Sequence, residues 1–146
     1  MPIPDFVREL RVLVGTHELW LSGVSAVVLR EVDGHHEVLL VRRADNGAWS
    51  PVAGIVDPGE EPHDAAVREC LEETGVRVEV ERLVWVRAGE RIVYANGDRA
   101  RYLSLTFRCR WVSGQPYAAD DEISRPPGGP RTPCRRCPGG SPTGSR

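Results

Sequence analysis

The stretch GIVDPGEEPHDAAVRECLEETGV, residues 54–76, holds seven acidic residues in 23 positions. Three of them, Glu69, Glu72 and Glu73, are spaced i, i+3 and i+4, so a helix would carry them within an arc of about 100°. Like charges so close repel by about 0.2–0.5 kcal/mol per pair on an exposed helix. The stretch is therefore either a solvated charged surface or a set of carboxylates gathered to bind a cation.

The residues around these glutamates predict a helix over 62–74. Apolar positions share an arc of about 140° at 100° per residue, and they are Ala66, Val67, Cys70, Leu71 and Thr74. Gly75 follows, where a helix end favours left-handed backbone geometry. The glutamate face is expected to lie beside this apolar arc and not within it.

The loop before the helix favours the interpretation of the glutamates as a cation site. Gly54 and Gly59 flank the segment IVDP, and we expect them to let the backbone turn sharply and to expose carbonyl oxygens near the helix. Hard cations such as Mg²⁺ prefer oxygen ligands. The alternative is a solvated face on which Arg68, four residues before Glu72, partly relieves the repulsion.

The spacing of the whole stretch is more specific than its charge. It runs Gly54, five residues, Glu60, seven residues, and then RECLEETGV from Arg68 to Val76. This resembles the signature of the Nudix hydrolases, the Nudix box, which reads G-x5-E-x7-R-E-U-x-E-E-x-G-U with U aliphatic. Only Cys70 departs from it, and that residue is still small and apolar.

The resemblance implies an α/β protein with a Nudix-fold α/β/α sandwich and a mixed sheet. It implies hydrolysis of a nucleoside diphosphate linked to another moiety, with Mg²⁺ or Mn²⁺ as cofactor. Glu69, Glu72 and Glu73 would be the catalytic residues and the metal ligands, with the backbone carbonyl of Ala53 as a further ligand. Which glutamate acts as the general base is left open.

The same resemblance implies residues that support the box. They are Gly54, Glu60, Arg68 and Gly75, and Glu60 would pair with Arg68 to hold the loop against the helix. Some relatives take a further acid from a late loop, for which Asp120, Asp121 and Glu122 are candidates by position only.

Several residues outside the box, Glu122 among them, are candidates for substrate binding. Arg42 and Arg43 end a predicted strand that leads toward the site, and they could contact phosphate or base. Trp49, like Trp20, could stack on a base. The alternatives are sheet-edge arginines without a role and tryptophans in the core.

The remaining chain predicts a helix and several strands. The helix covers 4–14 at its amphipathic spacing, and its apolar face could support a homodimer. The other elements are a hairpin of 22–30 and 36–43 about Asp33-Gly34, a loop over 44–54, a strand over 76–88, and a hairpin over 91–112 about Asn96-Gly97.

Composition divides the chain at about residue 123. Residues 1–123 form the predicted Nudix domain, whereas 124–146 hold six prolines, five glycines and five arginines without one aliphatic or aromatic side chain. Such a tail is predicted to be disordered. Out-of-frame reading of G/C-rich DNA would give the same composition. The strand and helix that usually close the family's fold are therefore expected to be missing or altered.

Charge and hydropathy limit the partners. The net charge of −2 gives no support to binding of a nucleic acid polymer or a membrane. No run approaches eighteen apolar residues, and no basic segment precedes an apolar one at the N-terminus, so a cytoplasmic protein is expected. A small-molecule nucleotide is the expected partner.

The length of the chain and the lack of an added domain favour one branch of the family. That branch cleaves a (deoxy)nucleoside triphosphate, or an oxidised one, to monophosphate and pyrophosphate. Hydrolysis of ADP-ribose or of a nucleotide sugar is the alternative within the family. A nucleotide-binding sensor without catalysis is the alternative from another class.

Overall fold

The computed structural model describes residues 3–44 and 46–116. The helices are α1 (Asp5–Val14) and α2 (Pro62–Thr74). The strands are β1 (Leu19–Val32), β2 (His35–Val38), β3 (Val41–Arg42), β4 (Trp49–Ser50), β5 (Val52–Ile55), β6 (Arg77–Ala88), β7 (Ile92–Val93) and β8 (Arg99–Ser113). Several predictions concern residues outside this described part. They are the late-loop acids Asp120, Asp121 and Glu122, the disorder of the tail, and the loss of the closing strand and helix.

A six-stranded mixed sheet organises the described residues. Its main order is β2-β1-β8-β6, with β5 added to β1 and β7 added to β8. Strands β1 and β8 run parallel, with Leu19 opposite Ala100 and Leu29 opposite Arg110, and the other pairs are antiparallel. Strands β3 and β4 form a separate two-stranded ribbon. The mixed sheet that the sequence predicts is therefore present.

The two helices cover opposite faces of this sheet. Val24 and Val28 of β1 belong to the core cluster that contains the buried face of α2, whereas Leu21 packs with Val7 of α1. Even- and odd-numbered residues of a strand point to opposite faces, so the chain builds a helix–sheet–helix sandwich. Within the described part, no helix is both long enough and apolar enough to cross a membrane.

Local signals predicted several elements correctly. Helix α2 has the predicted bounds, 62–74, and helix α1 begins one residue after the predicted start. The turn between β1 and β2 falls at Asp33 and Gly34, both with positive φ. Strands β7 and β8 pair about the Asn96-Gly97 turn, as predicted.

Two predictions about residues 36–55 were wrong. The strand expected over 36–43 is interrupted, since β2 ends at Val38 and β3 begins at Val41. The predicted loop over 44–54 contains β4 and most of β5. Strand β5 forms because Val52 and Ile55 are buried and pair across to β1, a long-range contact that local composition does not show.

Candidate active site

Helix α2 is fixed at both ends by local interactions. Pro62 occupies its first turn, where the missing N–H costs nothing. At the other end Gly75 is left-handed, at φ 74°, and its N–H donates to the Leu71 carbonyl at 2.9 Å. The Thr74 hydroxyl donates to the Cys70 carbonyl and accepts from the Val76 N–H. These contacts set the position of each glutamate along the helix.

Burial separates the three glutamates of α2. Glu69 and Glu73 are only 5% and 6% exposed, whereas 55% of the Glu72 side chain is exposed. The prediction that the glutamates lie beside the apolar face was therefore wrong for two of them. The buried residues of α2 are Ala65, Ala66, Glu69, Cys70, Glu73 and Thr74, and Leu71 is 39% exposed. Small alanines let the helix approach the sheet closely, which carries the two acids below the surface.

Gly54 touches the buried carboxylate of Glu69. A Cβ atom at position 54 would lie 2.1 Å from Cδ and 2.3 Å from Cγ of Glu69, closer than atoms can approach. Gly54 lies within β5 opposite Val24 and has no positive φ, so the predicted sharp turn is not its role. The turn glycine is Gly59, at φ 81°. Glycine at 54 makes room for the acid.

Ala53, the predicted carbonyl ligand, precedes Gly54 in β5. It lies opposite Ser25 of β1, and β5 packs against α2. The backbone that carries the Ala53 carbonyl is therefore held by its pairing with β1 and by the packing of β5 against the box helix, one residue from the contact with Glu69.

Arg68 joins the loop to the helix. Its guanidinium donates two hydrogen bonds to the Glu60 carboxylate, at 2.8 and 2.9 Å, and one to the Ile55 carbonyl at 3.1 Å. It also donates to Glu69 Oε1 at 2.9 Å and to Glu72 Oε2 at 3.3 Å. The structure thus places Glu60 and Arg68 together, as the sequence predicts.

The charges of this cluster shift its protonation equilibria. The hydrogen bonds that Arg68 donates to Glu60 lower the pKa of Glu60 below its ordinary value, and the same bonds raise the pKa of Arg68. Burial raises the pKa of Glu69, the negative charge of Glu72 adds to the effect, and Arg68 opposes it. Glu69 consequently holds a proton more readily than an ordinary glutamate.

The cysteines beside the site are structural. Cys70 and Cys109 are buried and free. Burial raises the pKa of both thiols, that of Cys109 to about 11. A thiol that stays protonated is neither a nucleophile nor a metal ligand near neutral pH.

The donor set of the box suits a hard divalent cation in its chemistry. Carboxylate and carbonyl oxygens are the ligands that Mg²⁺ and Mn²⁺ take. Among residues 3–44 and 46–116, no three acidic, histidine or cysteine side chains converge on one point, and Arg68 binds Glu69 and Glu72 instead. A cation at this site would therefore compete with Arg68 for those two carboxylates.

A cavity of about 430 Å³ opens beside the box. On one side it is lined by Asp57, Pro58, Arg68, Glu69 and Glu72, and on the other by Ile3, Pro4, Asp5 and Phe6 at the start of α1. We call it the α1–box cavity. The sequence did not predict that the N-terminal residues lie at the site, because no local pattern shows a contact between segments some fifty residues apart.

The other predicted substrate residues lie outside the lining of this cavity. Arg42 Nε donates to the Gly47 carbonyl at 3.2 Å in the β3–β4 turn, Arg43 pairs through its backbone with Ala48, and Trp49 is half-buried opposite Arg42. Trp20 is 60% exposed on β1, so the interpretation of that residue as core was wrong. A role of these residues in substrate binding stays a prediction.

Comparisons with known proteins agree with the resemblance of the box to the Nudix signature. The sequence profile of the NUDIX domain matches residues 21–126. A MutT-like protein of Streptomyces ambofaciens is 42% identical over 92 residues, which cover 63% of this chain and 53% of the relative. A putative 8-oxo-dGTP diphosphatase of Bacillus subtilis is 46% identical over 57 residues, which cover 39% and 36%.

A solved structure shows the same architecture. The MutT NUDIX hydrolase from Burkholderia pseudomallei aligns with a TM-score of 0.56 and 28% identity, covering 72% of this chain and 78% of its own. The chain belongs to the NUDIX domain family, and the predicted α/β Nudix fold is confirmed. The chain spans about half or less of the length of the curated relatives named here.

The contact between Arg68 and Glu60 predicts a pH-dependent stability. We expect Glu60→Gln to lower the free energy of unfolding by about 1–3 kcal/mol at pH 7, since a charge-assisted bidentate contact is lost. The folded pKa of Glu60 is depressed, so its contribution is present above its unfolded pKa and is lost as the pH falls through the folded value. The difference between variant and wild type should therefore shrink below pH 4.5.

Urea unfolding at pH 7 and pH 3.5 measures this difference. Glu61→Gln is the matched control, because Glu61 is adjacent, exposed and makes no capping hydrogen bond. An equal loss in both variants, or a Glu60 difference that is the same at both pH values, would contradict the structural role of the pair.

Proposed function

We propose that the chain is a pyrophosphohydrolase that cleaves a nucleoside diphosphate linked to another moiety. The preferred substrate is a (deoxy)nucleoside triphosphate or an oxidised one, giving monophosphate and pyrophosphate. The observation that carries this proposal is the complete box, with Glu69 buried against Gly54 beside an open cavity. The Bacillus subtilis relative, described as a putative 8-oxo-dGTP diphosphatase, supports the choice of substrate. A cytoplasmic location stays a prediction.

Glu69, Glu72, Glu73 and the Ala53 carbonyl would hold the divalent cation, with Mg²⁺ preferred and Mn²⁺ able to replace it. Bound there, the cation would supply charge neutralisation for the diphosphate and lower the pKa of a coordinated water. Buried carboxylates suit this role, since a buried charge is stable only when a counter-charge lies close.

Arg68 and Glu69 would have different roles, one structural and one chemical. Arg68 keeps the loop that contains Asp57 against the helix through Glu60, so the cavity retains its shape. Glu69 Oε1 accepts from Arg68, which leaves Oε2 for another donor. Because burial raises its pKa, Glu69 could instead act as the base that takes a proton from an attacking water. In that case Glu72, Glu73 and the Ala53 carbonyl would hold the cation.

A panel of substrates tests the proposal. The panel holds normal and 8-oxo deoxynucleoside triphosphates, ADP-ribose, UDP-glucose and a 5′-triphosphorylated RNA, each with Mg²⁺, and the products are separated by anion exchange. Release of pyrophosphate and monophosphate from a triphosphate supports the proposed substrate. Preference for ADP-ribose or UDP-glucose selects the alternative branch. Binding without turnover of any member would indicate a sensor.

Removal of divalent cations should abolish the activity. Excess EDTA is expected to stop turnover, and Mg²⁺ or Mn²⁺ in excess of EDTA to restore it, whereas Zn²⁺ should not. The predicted ligands are all oxygen atoms, which suit hard cations, and neither histidine nor reactive thiol lies among them. Initial rates on the best member of the panel measure the effect. Undiminished turnover in EDTA would show that the carboxylates serve another purpose.

A further inference from the structure

The α1–box cavity has an apolar side built by residues outside the catalytic assignment. Ile3, Pro4 and Phe6 line it from the start of α1, and Pro58 lines it from the box loop. Ile3 is 50% exposed, and the half-buried ring of Phe6 also packs against the second core cluster. A flat ring beside aliphatic groups is the lining that aromatic ligand groups favour.

The opposite end of α1 is anchored to the sheet. The Arg11 guanidinium donates to the backbone carbonyls of Gly15, His17 and Arg99, at 3.1, 2.6 and 2.7 Å. It also lies 3.5 Å from the Asp98 carboxylate. Val7 is buried against the sheet in the same helix. The start of α1 is therefore held beside the box by the fold.

The polar side of the cavity carries mostly negative charge. Asp57, Glu69 and Glu72 face one cation, Arg68, and Asp5 adds a further acid from α1. A polyphosphate would meet this side only with bound cations, as the proposed function requires. The apolar side carries no charge apart from Asp5, so it suits a part of the ligand that is neutral and flat.

We propose that the apolar side of the α1–box cavity is the subsite for the base of the nucleotide, with the Phe6 ring as its stacking surface. Ile3 and Pro58 exclude water from the stacked base. A volume of about 430 Å³ lies within the range of small-ligand sites, about 300–1,000 Å³. The subsite presupposes the proposed function, which supplies the phosphate-bearing half of the ligand.

A pair of non-hydrolysable probes separates base from phosphate. α,β-Methylene-ADP carries a base, and methylenediphosphonate has the same phosphorus–carbon bridge without one. Dissociation constants with Mg²⁺ are measured by calorimetry for the wild type, Phe6→Leu and Ile3→Ser. Leucine keeps apolar packing at position 6 while removing the flat ring, and Ile3 is exposed enough that serine leaves the fold intact. Thermal unfolding of each variant checks this.

Val12→Ser is the matched control. Val12 is an aliphatic residue of the same helix, 87% exposed and about 10 Å along the axis from Asp5. We expect Phe6→Leu to raise the Kd of α,β-methylene-ADP roughly tenfold, because base–aromatic stacking is lost. Ile3→Ser should raise this Kd by a smaller factor. In both variants the Kd of methylenediphosphonate should change less than about twofold. Val12→Ser should leave the Kd of both probes unchanged.

Other outcomes would overturn either the base subsite or the proposed hydrolysis. Unchanged affinity for α,β-methylene-ADP in Phe6→Leu and Ile3→Ser overturns the base subsite, and so do an equal loss for both probes and a wild type that binds neither. If the expected pattern appears but no member of the substrate panel is hydrolysed, the base subsite stands and the proposed hydrolysis fails. If the panel is hydrolysed with the same kcat/KM by wild type, Phe6→Leu and Ile3→Ser, only the base subsite fails.

Discussion

Glu73→Gln is expected to lower turnover by about two orders of magnitude or more while the protein stays folded. A neutral amide is a much poorer ligand for Mg²⁺ than a carboxylate. Glu73 is 6% exposed on the buried face of α2, so an isosteric change removes charge without changing the packing. Turnover at saturating cation and substrate, together with circular dichroism, measures the two effects separately.

Glu90→Gln is the control for this prediction. Glu90 is exposed in the segment between β6 and β7, so its change removes one negative charge far from α2 in sequence. We expect wild-type turnover from it. If Glu73→Gln turned over substrate as fast as Glu90→Gln does, Glu73 would have no catalytic role.

Gly54→Ala should have the second large effect. The new Cβ would overlap Cδ and Cγ of Glu69, and Glu69 has little room to move because it is buried. We expect a loss of about 1–3 kcal/mol in the free energy of unfolding and a loss of turnover of tenfold or more as the carboxylate is displaced. Gly23→Ala is the control in the neighbouring strand, since its Cβ would lie 3.4 Å from the Tyr102 ring, an ordinary contact.

A double-mutant cycle shows whether the contact with Glu69 is the cause. In a Glu69→Ala background the overlapping atoms are absent, so Gly54→Ala should destabilise the protein much less than in the wild type. Urea unfolding of the four proteins gives the coupling energy without any assay of activity. A Gly54→Ala effect that is equal in both backgrounds would mean that glycine is needed there for another reason.

Sequence patterns predicted the parts of the fold that local chemistry determines. Pro62 and Gly75 bound α2, and Asp33-Gly34 forms the first hairpin turn, because turn and cap residues act on their immediate neighbours. Strand β5 was missed because its four residues follow a proline and form a strand only through pairing with β1.

In the candidate site, too, the sequence predicted some features and missed those that depend on tertiary packing. The resemblance of the box to the Nudix signature implied that Glu60 pairs with Arg68, and the structure contains this pair. The contact of Arg68 with Glu69 was not predicted. Helical periodicity alone could not show that Glu69 and Glu73 are buried, because that depends on how closely α2 approaches β5. The contribution of Ile3 and Phe6 to the cavity depends on the docking of α1 and has no local signal.

Binding of Mn²⁺ measured by electron paramagnetic resonance tests the central claim most directly, namely that the box carboxylates form a divalent-cation site. Free Mn²⁺ gives the signal, so its loss on titration with protein reports binding without substrate or turnover. Wild type and Glu90→Gln should bind Mn²⁺ with the same Kd, and Glu73→Gln should bind it about tenfold more weakly or worse. Equal Mn²⁺ affinity in wild type and Glu73→Gln would contradict a cation site that includes Glu73.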